Sequence, residues 1–444
     1  MARIIVAGAG HGGIVAAYKL AETGHEVMIL EKSPEDSIGL CQSDAFDKDA
    51  FEYADIPVPA HFPLGKNQLT LVPLEETTAP LTLPEPQAES IIVDRKLLIE
   101  HLISLATEAG ATITYNCEII EPIILGSRVA GIKSTQGNFY GDVIIDACGL
   151  NSPIRKNLPE FMKINRQIKK YDILYSYRAY FDKTADAPQP ETPYNIYIKE
   201  DGTEGLCWVV TEEDKIDILI GRFSPLDNTQ VLEKLQELYT ANPHIGKNFL
   251  YGGTFKEIPV CQPLSVLVAD GYAAVGDSAF MTDAIKGSGL AYSIKSGVML
   301  ADVINNDSEC RFDTESLWEY EKRFFKEIGF SACRIALVKN MLPFITAQEV
   351  NDLFKAQIIT TDDLAQLMTN KFEMLFGAQG RAMLKEKIKL IRENTVLKQK
   401  FTDLALWIGK LAVTETYFPN KYDRKEVEKW AQKYEELFDS IRKE

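Results

Sequence analysis

The stretch IIVAGAGHGG at residues 4–13 decides the fold of this 444-residue chain. A short β-branched run leads into a glycine turn, and apolar residues then recur with helical spacing over residues 14–22. A second apolar run, Glu26–Leu30, follows and has the character of a buried strand. Strand, helix and strand in so short a length predict a βαβ unit, and therefore a parallel sheet.

The glycine spacing in this turn matches a dinucleotide-binding fingerprint. In Gly8-x-Gly10-x-x-Gly13 the first glycine permits the tight turn, the second lets the backbone approach a pyrophosphate, and the third lets helix and strand pack closely. The helix N-terminus supplies N–H groups and partial positive charge to the anion. Glu31 lies near the usual distance of about 20 residues and suits a pair of ribose hydroxyls. The alternative is a glycine turn that binds nothing.

A second motif, GDVIIDACGLNSPIR, occupies residues 141–155. Its apolar run predicts a buried strand that ends in a turn of small residues at the carboxyl edge of the sheet. Ligands bind at that edge in open α/β folds. Cys148 lies in the turn, where we expect a small buried residue rather than a reactive thiol.

A third motif combines DGYAAVGDSA at residues 270–279 with KGSGLAYSIKSG at residues 286–297. The spacing predicts a strand that ends at Gly276-Asp277, and then a helix that Gly287-x-Gly289 opens. A helix N-terminus stabilises developing negative charge, such as the ring of a reduced flavin carries. Asp277 is placed to bond a ribityl hydroxyl, although a simple helix cap is the alternative.

Composition excludes several classes of protein. The chain carries 48 Lys and Arg against 64 Asp and Glu, a net charge of −16, which argues against nucleic acid as a partner. Its seven cysteines lack CxxC spacing, so we expect reduced thiols and neither a disulfide framework nor a metal site. No leader sequence is evident, and no apolar run reaches the ~18–20 residues of a membrane span. We therefore expect a cytoplasmic protein without a transmembrane segment.

The three motifs in this order, together with the helix start at Asp94-Arg95, resemble FAD-dependent oxidoreductases of the para-hydroxybenzoate hydroxylase fold. Within that superfamily, residues 276–297 are most similar to the geranylgeranyl reductase family, whose pattern has Gly-Asp-Ala-Ala, a proline-bearing loop, Gly-Glu-Gly-Ile and Lys-Ser-Gly. Residues 252–264 also resemble that family. Two departures are Ala284 in place of the loop proline and Ser288 in place of the glutamate. The resemblance extends over residues 1–330.

The resemblance implies an α/β fold: a Rossmann-like FAD-binding domain with a parallel sheet and an interleaved β-sheet substrate domain. We expect the FAD-binding domain at residues 1–72, 91–165 and 254–310, and the β-rich substrate domain at residues 73–90 and 166–253. The sequence beyond Phe312 has a helical pattern to its end, which predicts a helical C-terminal region at residues 311–444. From the residues alone we also expect 137–145 to form one strand.

The resemblance also implies a set of cofactor-binding residues. The fingerprint glycines and Glu31 would hold the ADP half of FAD, Arg95 would reach the flavin side, and Asp277 would bind the pyrophosphate–ribityl region. The backbone of residues 287–290 would face the pyrimidine edge of the isoalloxazine. The full set is Gly8, Gly10, His11, Gly12, Gly13, Glu31, Lys32, Arg95, Ala147, Gly149, Gly276, Asp277, Gly287, Ser288, Gly289 and Leu290.

Candidate residues on the substrate side are fewer. Cys41 stands where these reductases often place a cysteine near the flavin, but the glycine run that normally follows is missing. Its role stays open between a catalytic residue on the substrate side and a packed loop thiol. Tyr177, Tyr197 and Trp208 in the β-rich block are candidates to line an apolar tunnel, with ordinary core packing as the alternative.

Three reactions fit this resemblance. The first, which the third motif favours, is hydride transfer from reduced FAD to a carbon–carbon double bond of an isoprenoid or other apolar substrate. The second is hydroxylation of an aromatic ring through a flavin hydroperoxide. The third alternative is a non-catalytic protein that binds flavin or lipid. In either enzyme the flavin carries the chemistry.

The partners follow from the same resemblance. No second glycine fingerprint of comparable quality is present, so we expect an external reductant, NAD(P)H or a reduced electron carrier. An electron-donor protein and a small apolar substrate such as a prenyl lipid are the expected partners. The C-terminal stretches 404–413 and 427–441 are amphipathic and are expected to dock on the main body. Weak peripheral association with a membrane would suit a prenyl lipid substrate.

Overall fold

We describe the protein from a computed structural model. It describes residues 1–39, 42–60, 62–63, 68–73, 75, 77–83, 90–164, 166–185, 187–199, 204–368, 387, 389, 391 and 395–441.

The strands in chain order are β1 (Arg3–Ala7), β2 (Glu26–Leu30), β3 (Ser43–Asp47), β4 (Leu69–Val72), β5 (Leu81–Thr82), β6 (Ser90–Asp94), β7 (Thr112–Thr114), β8 (Ile119–Leu125), β9 (Arg128–Ser134), β10 (Gly137–Tyr140), β11 (Val143–Asp146), β12 (Ile173–Lys183), β13 (Tyr194–Ile198), β14 (Gly205–Thr211), β15 (Ile216–Arg222), β16 (Ile245–Pro259), β17 (Val268–Ala269) and β18 (Tyr272–Ala274). The α-helices are α1 (His11–Glu22), α2 (Asp49–Ala54), α3 (Arg95–Glu108), α4 (Pro153–Lys156), α5 (Asn228–Ala241), α6 (Leu290–Asn306), α7 (Thr314–Phe324), α8 (Phe330–Met341), α9 (Ala347–Lys355), α10 (Thr361–Met368), α11 (Thr395–Thr416) and α12 (Arg424–Ile441).

The first sheet has six strands in the order β17-β18-β11-β1-β2-β7. The pairs β1–β2, β1–β11, β11–β18 and β2–β7 are parallel, and only the edge pair β17–β18 is antiparallel. Every residue of β11 is buried, as is usual for a central parallel strand covered on both faces. The βαβ unit and the parallel sheet predicted from the first motif are therefore confirmed.

The expectation of one strand over residues 137–145 was wrong. Gly137–Tyr140 pairs with β9 in a three-stranded sheet of order β10-β9-β8, whereas Val143–Asp146 pairs with β1 in the six-stranded sheet. Between them the Gly141 N–H bonds the Ala130 carbonyl and the Asp142 N–H bonds the Arg3 carbonyl. These two bonds carry the backbone from one sheet to the other, so an unbroken β-like sequence contains a change of sheet.

A third sheet has seven strands in the order β16-β12-β15-β14-β13-β4-β5. It is antiparallel except where β13 pairs with β4 in parallel. Helix α5 packs on one of its faces through Val231, Leu235 and Leu238. Two boundaries of the proposed three-part domain division cut this sheet. The boundary after residue 72 separates Leu69–Val72 from the other strands, and the boundary after residue 253 falls within β16. The division into three parts stays a proposal.

The C-terminal helices pack on the body of the protein. The apolar side of α12 is buried and belongs to the same core as the six-stranded sheet. Phe325 lies at the centre of an aromatic cluster there, in contact with Phe418, Trp430 and Tyr434. A second small core joins α9 and α11 to Leu71 and Leu81 at the edge of the seven-stranded sheet.

Among the described residues, no single helix has the length and apolar character of a membrane span. One bent pair of segments, Thr314–Phe344 with Ala347–Lys355, meets both criteria when taken together, with a bend of 116° between the two.

Helices α1 and α6 touch through their backbones. A Cβ atom added at Gly12 would lie 2.5 Å from the carbonyl oxygen of Ser293, and one added at Gly297 would overlap the carbonyl oxygen of Gly12. Real Cβ atoms do not approach backbone oxygens so closely. Because only glycine permits this approach, these two positions fix the distance between the helix that follows the first motif and the helix that ends the third.

We predict that Gly297→Ala lowers the free energy of unfolding by ~1–3 kcal/mol, because the added methyl group must push α1 and α6 apart. Gly409→Ala is the matched control, since nothing lies within 4 Å of a Cβ at that position in α11. The control should be neutral or stabilising by up to about 1 kcal/mol, the helix-propensity gain of alanine over glycine. Urea unfolding followed by circular dichroism measures both. Equal effects of the two substitutions would contradict the close contact.

Candidate active site

The β1–α1 turn is pressed against the second motif. Gly8 has φ of +86°, and a Cβ atom there would lie 2.7 Å from the carbonyl oxygen of Ala147. A Cβ atom at Gly10 would lie 2.9 Å from the same oxygen. Gly10 then precedes α1 without a side-chain cap. Because the first N–H groups of a helix have no acceptor within the helix, this N-terminus offers donors to an anion.

Glu31 is held in place by the backbone around it. Its Oε2 accepts the N–H of Ala9 at 2.8 Å, inside the fingerprint, and its Oε1 accepts the N–H of Ser33 at 2.8 Å. The residue is only 9% exposed. The carboxylate at the end of β2 therefore serves the turn itself and keeps lone pairs for further donors such as ribose hydroxyls. Lys32, next in the chain, is exposed.

Asp146 ties the second motif together, and the sequence reasoning missed it. It is fully buried at the end of β11. Its carboxylate accepts the N–H of Cys148 at 3.0 Å, the Ser152 hydroxyl at 2.5 Å and the Tyr272 hydroxyl at 2.9 Å. The available signal was an acidic residue at the end of an otherwise apolar run. Burial, followed by the charge of Asp146, raises the pKa of Cys148 well above its usual value, which disfavours the reactive thiolate form.

The second and third motifs are joined by direct bonds. The N–H of Gly149 donates to the Ser278 hydroxyl at 2.8 Å, and Arg155 donates to the Ser278 carbonyl at 2.5 Å. Arg155 also stacks on the ring of Phe280, with 4.4 Å between the guanidinium carbon and the ring centroid, and Arg166 lies 4.7 Å from the same centroid. Phe280 has a left-handed backbone, φ +56°. Two cations therefore hold the ring that ends the Gly276–Ala279 turn.

Asp277 lies in that turn, close to the start of α6. Its Oδ1 accepts the Thr282 hydroxyl at 3.0 Å. Burial raises the pKa of Asp277, against the opposing effects of the Thr282 hydroxyl and the Arg95 charge. Gly289 precedes the first residue of α6, as the glycine pair in the sequence predicts.

A cavity of about 140 Å³ lies where the three motifs meet. The predicted site residues that line it are Gly10, His11, Gly12, Arg95, Ala147, Gly149, Gly276, Asp277, Gly287, Gly289 and Leu290. The lining residues that the sequence reasoning did not name are Ile258, Val275, Thr282 and Ser293.

Other predicted cofactor residues are close to the cavity without lining it. Gly8 and Gly13 lie behind the lining, against Ala147, and Ser288 bonds Asp283 through its backbone carbonyl. The uncapped helix N-terminus, the glycine cradle and the fixed carboxylate of Glu31 are the features that a dinucleotide requires. The residues present therefore fit FAD.

The seven-stranded sheet turns one face toward this cavity, which we call the inner face. Ile258 lines the cavity and pairs with Leu174 of β12. Side chains alternate between the two faces along a strand, so Arg178, four residues after Leu174, lies on the same face as Leu174 and Ile258. Arg178 and Trp208 both lie opposite Leu219, so they share a row and a face. The Arg178 guanidinium carbon is 5.1 Å from the centre of the Trp208 ring.

A network of charged side chains, buried at Arg178 and Asp217 and partly buried at Asp44 and Arg95, crosses from the inner face to the cavity. Arg178 donates to both oxygens of Asp217, at 2.9 and 2.6 Å, and to Asp44 at 2.9 Å. The second Asp44 oxygen lies 3.3 Å from Arg95, which lines the cavity. Burial alone would raise the pKa of Asp44, but Arg178 and Arg95 hold it below its usual value. These residues are far apart in sequence, and no local pattern marks them as partners.

Tyr177 and Tyr197 lie on the opposite, outer face, where they pack as the core-packing alternative of the sequence analysis describes. Tyr177, Ile220, Cys207 and Tyr197 form one row across the sheet, displaced by one residue from the row of Trp208. Both tyrosines pack in the core under α5. Of the three aromatic candidates, only Trp208 is on the inner face. Cys41 lies outside the described residues.

The sequence is similar to one domain family and to a group of reductases that share one name. Residues 6–69 match the family described as "NAD(P)-binding Rossmann-like domain". A digeranylgeranylglycerophospholipid reductase from Sulfolobus acidocaldarius is 22% identical over 88% of this chain and 90% of the relative. Proteins of the same name from Methanosphaerula palustris (26% identical, 68% of this chain, 75% of the relative) and Methanoculleus marisnigri (23%, 89% and 98%) are also similar.

Solved structures share the fold. A geranylgeranyl bacteriochlorophyll reductase-like protein from Thermoplasma acidophilum superposes with a TM-score of 0.71 at 20% identity, covering 88% of this chain and 98% of that one. PqsL, described as a probable FAD-dependent monooxygenase from Pseudomonas aeruginosa, superposes with a TM-score of 0.58 at 16% identity, covering 80% and 99%. A myxobacterial FAD-dependent halogenase gives 0.57 at 17% identity, covering 77% and 83%.

These similarities agree with the motif order, the two large sheets and the cavity between the motifs. They confirm the resemblance to the geranylgeranyl reductase family. The chain has the fold of these solved structures, and its sequence is similar to proteins named digeranylgeranylglycerophospholipid reductase.

Proposed function

We propose that the protein reduces carbon–carbon double bonds of an isoprenoid or another apolar substrate. The observation that carries this proposal is the shared name of the curated relatives, digeranylgeranylglycerophospholipid reductase, with similarity over 88 and 89% of this chain in two of them. When bound, reduced FAD supplies the hydride for such a reaction.

The cofactor residues have distinct tasks in this proposal. The N-terminus of α1 binds the pyrophosphate, and the Glu31 carboxylate accepts from the adenosine ribose. Arg95 and Asp277 would hold the segment between pyrophosphate and flavin. The backbone of residues 287–290 would face the pyrimidine edge of the ring, where the N-terminus of α6 would stabilise negative charge on the reduced flavin.

The inner face of the seven-stranded sheet is the proposed substrate surface. Trp208 packs edge-to-face with Tyr194, at 5.8 Å between ring centroids. Arg178, beside Trp208, has its charge matched by Asp44 and Asp217. Such a surface buries an apolar chain without leaving an unpaired charge, and it excludes water from the reacting ring.

The electron donor is proposed to be external. We propose NAD(P)H or a reduced electron carrier as the reductant. The single glycine fingerprint of the sequence is already assigned to FAD, so the reductant has no dedicated domain of its own in this proposal.

We predict that Glu31→Gln weakens FAD binding about tenfold, because a neutral amide accepts more weakly than a carboxylate from a ribose hydroxyl and from Ala9. Glu26→Gln at the other end of β2 removes the same charge from an exposed ion pair with Arg3 and should leave FAD binding unchanged. Titration of the apoprotein with FAD, followed by flavin fluorescence, measures both. Equal FAD dissociation constants in the two variants would show that the Glu31 carboxylate does not contribute to FAD binding.

We predict that the protein, reduced with dithionite under anaerobic conditions, recovers its oxidised flavin absorbance when a geranylgeranyl lipid is added. Recovery should match the amount of lipid saturated. Trp208→Ala should slow the reaction, because it removes part of the inner face, whereas Tyr197→Phe on the outer face should not.

The monooxygenase-type neighbours make aromatic hydroxylation the competing function. If the lipid does not reoxidise the reduced protein, and the protein hydroxylates a phenolic compound when oxygen is admitted, aromatic hydroxylation replaces double-bond reduction as the proposed function.

A further inference from the structure

His11 is the one fingerprint residue whose side chain has an unexplained polar atom. It is the first residue of α1 and lines the cavity between the motifs. Its Nε2 is buried and, within the described part of the chain, has no hydrogen-bond partner. Buried polar atoms are nearly always paired in folded proteins, so an unpartnered atom that lines a cavity is available to a ligand atom opposite it.

The surroundings of His11 determine its charge. Arg95 of α3 lines the same cavity, and Asp44 of β3 lies 3.3 Å from Arg95. Burial, followed by the Arg95 charge, lowers the pKa of His11 to about 3, against the weaker opposing effect of Asp44. A neutral imidazole offers one N–H donor and one acceptor nitrogen, and an anion beside it raises the pKa again and favours donation from Nε2.

The same surroundings determine what the imidazole faces. The uncapped N-terminus of α1 carries partial positive charge, and Arg95 adds a full one. An oxygen with negative charge is the group that this field favours at the position opposite Nε2. In a cavity that fits FAD, the pyrophosphate supplies such oxygens.

We propose that His11 donates a hydrogen bond from Nε2 to a phosphate oxygen of the FAD pyrophosphate. It acts as a positioning residue that adds a side-chain donor to the backbone donors of α1. The proposal rests on FAD binding and does not depend on which substrate is reduced.

The test compares His11→Ala and His11→Gln in apoprotein, with ADP, FAD and riboflavin as probes. His11→Ala should weaken ADP and FAD binding about 10- to 100-fold, the loss expected for one hydrogen bond to a charged group. Riboflavin has no pyrophosphate, so its dissociation constant should not change. His11→Gln carries an amide N–H donor and should recover most of the affinity.

His25→Ala is the matched control. Its Nδ1 accepts the backbone N–H of Ala2 at 3.2 Å, before the start of β1 and away from the cavity. This variant should bind all three probes as the unchanged protein does.

Thermal melting separates a ligand role from a structural one. Because Nε2 has no partner in the described residues, apo His11→Ala should melt no lower than the unchanged apoprotein. The rise in melting temperature on adding FAD should be smaller in the variant. Unchanged ADP binding in His11→Ala, or equal losses for ADP and riboflavin, would overturn the proposal. Neither readout involves lipid reduction, so its outcome is independent of the proposed activity.

Discussion

The backbone contact between α1 and α6 is the constraint on which the site depends. Gly12 and Gly297 allow the two helices to touch without side chains between them. The N-terminus of α1 follows the first motif, and the N-terminus of α6 lies in the third. Their contact therefore sets the separation of two positively polarised helix ends, and the cavity lies between them. A dinucleotide with an anionic centre and an electron-accepting ring suits this arrangement.

The second motif supports this arrangement by packing against the glycines of the first motif. Ala147 fills the space against the fingerprint glycines, and Asp146 behind it bonds Ser152 and Tyr272. A buried carboxylate with several donors is a stable anchor, whereas loss of one donor would leave charge unpaired in the core. The charges of Arg95, Asp44, Arg178 and Asp217 then connect the cavity to the seven-stranded sheet. The cofactor cavity and the inner face are in this way connected by one network of charged side chains.

Much of the fold could be predicted from the sequence because its signals are local. A glycine fingerprint between two buried strands specifies a βαβ unit, and the glycine pair at Gly287 and Gly289 specifies the start of α6. Long-range pairing could not be predicted. Arg178, Asp44 and Asp217 come from three separate strands, and nothing near each residue indicates its partners. Alternation along a strand shows which residues share a face, but it does not show which face meets the cavity. For this reason the sequence left Tyr177 and Tyr197 open between tunnel lining and core packing, and the strand pattern over residues 137–145 did not reveal the change of sheet.

The central claim is that FAD lies between the ends of α1 and α6 with its ring toward the inner face. A crystal structure of the protein grown with FAD tests it most directly. We expect pyrophosphate oxygens within hydrogen-bond distance of the backbone N–H groups of residues 11–13, and the pyrimidine edge of the ring against residues 287–290. A ring bound on the outer face, beside Tyr177 and Tyr197, or a pyrophosphate away from α1, would contradict the account.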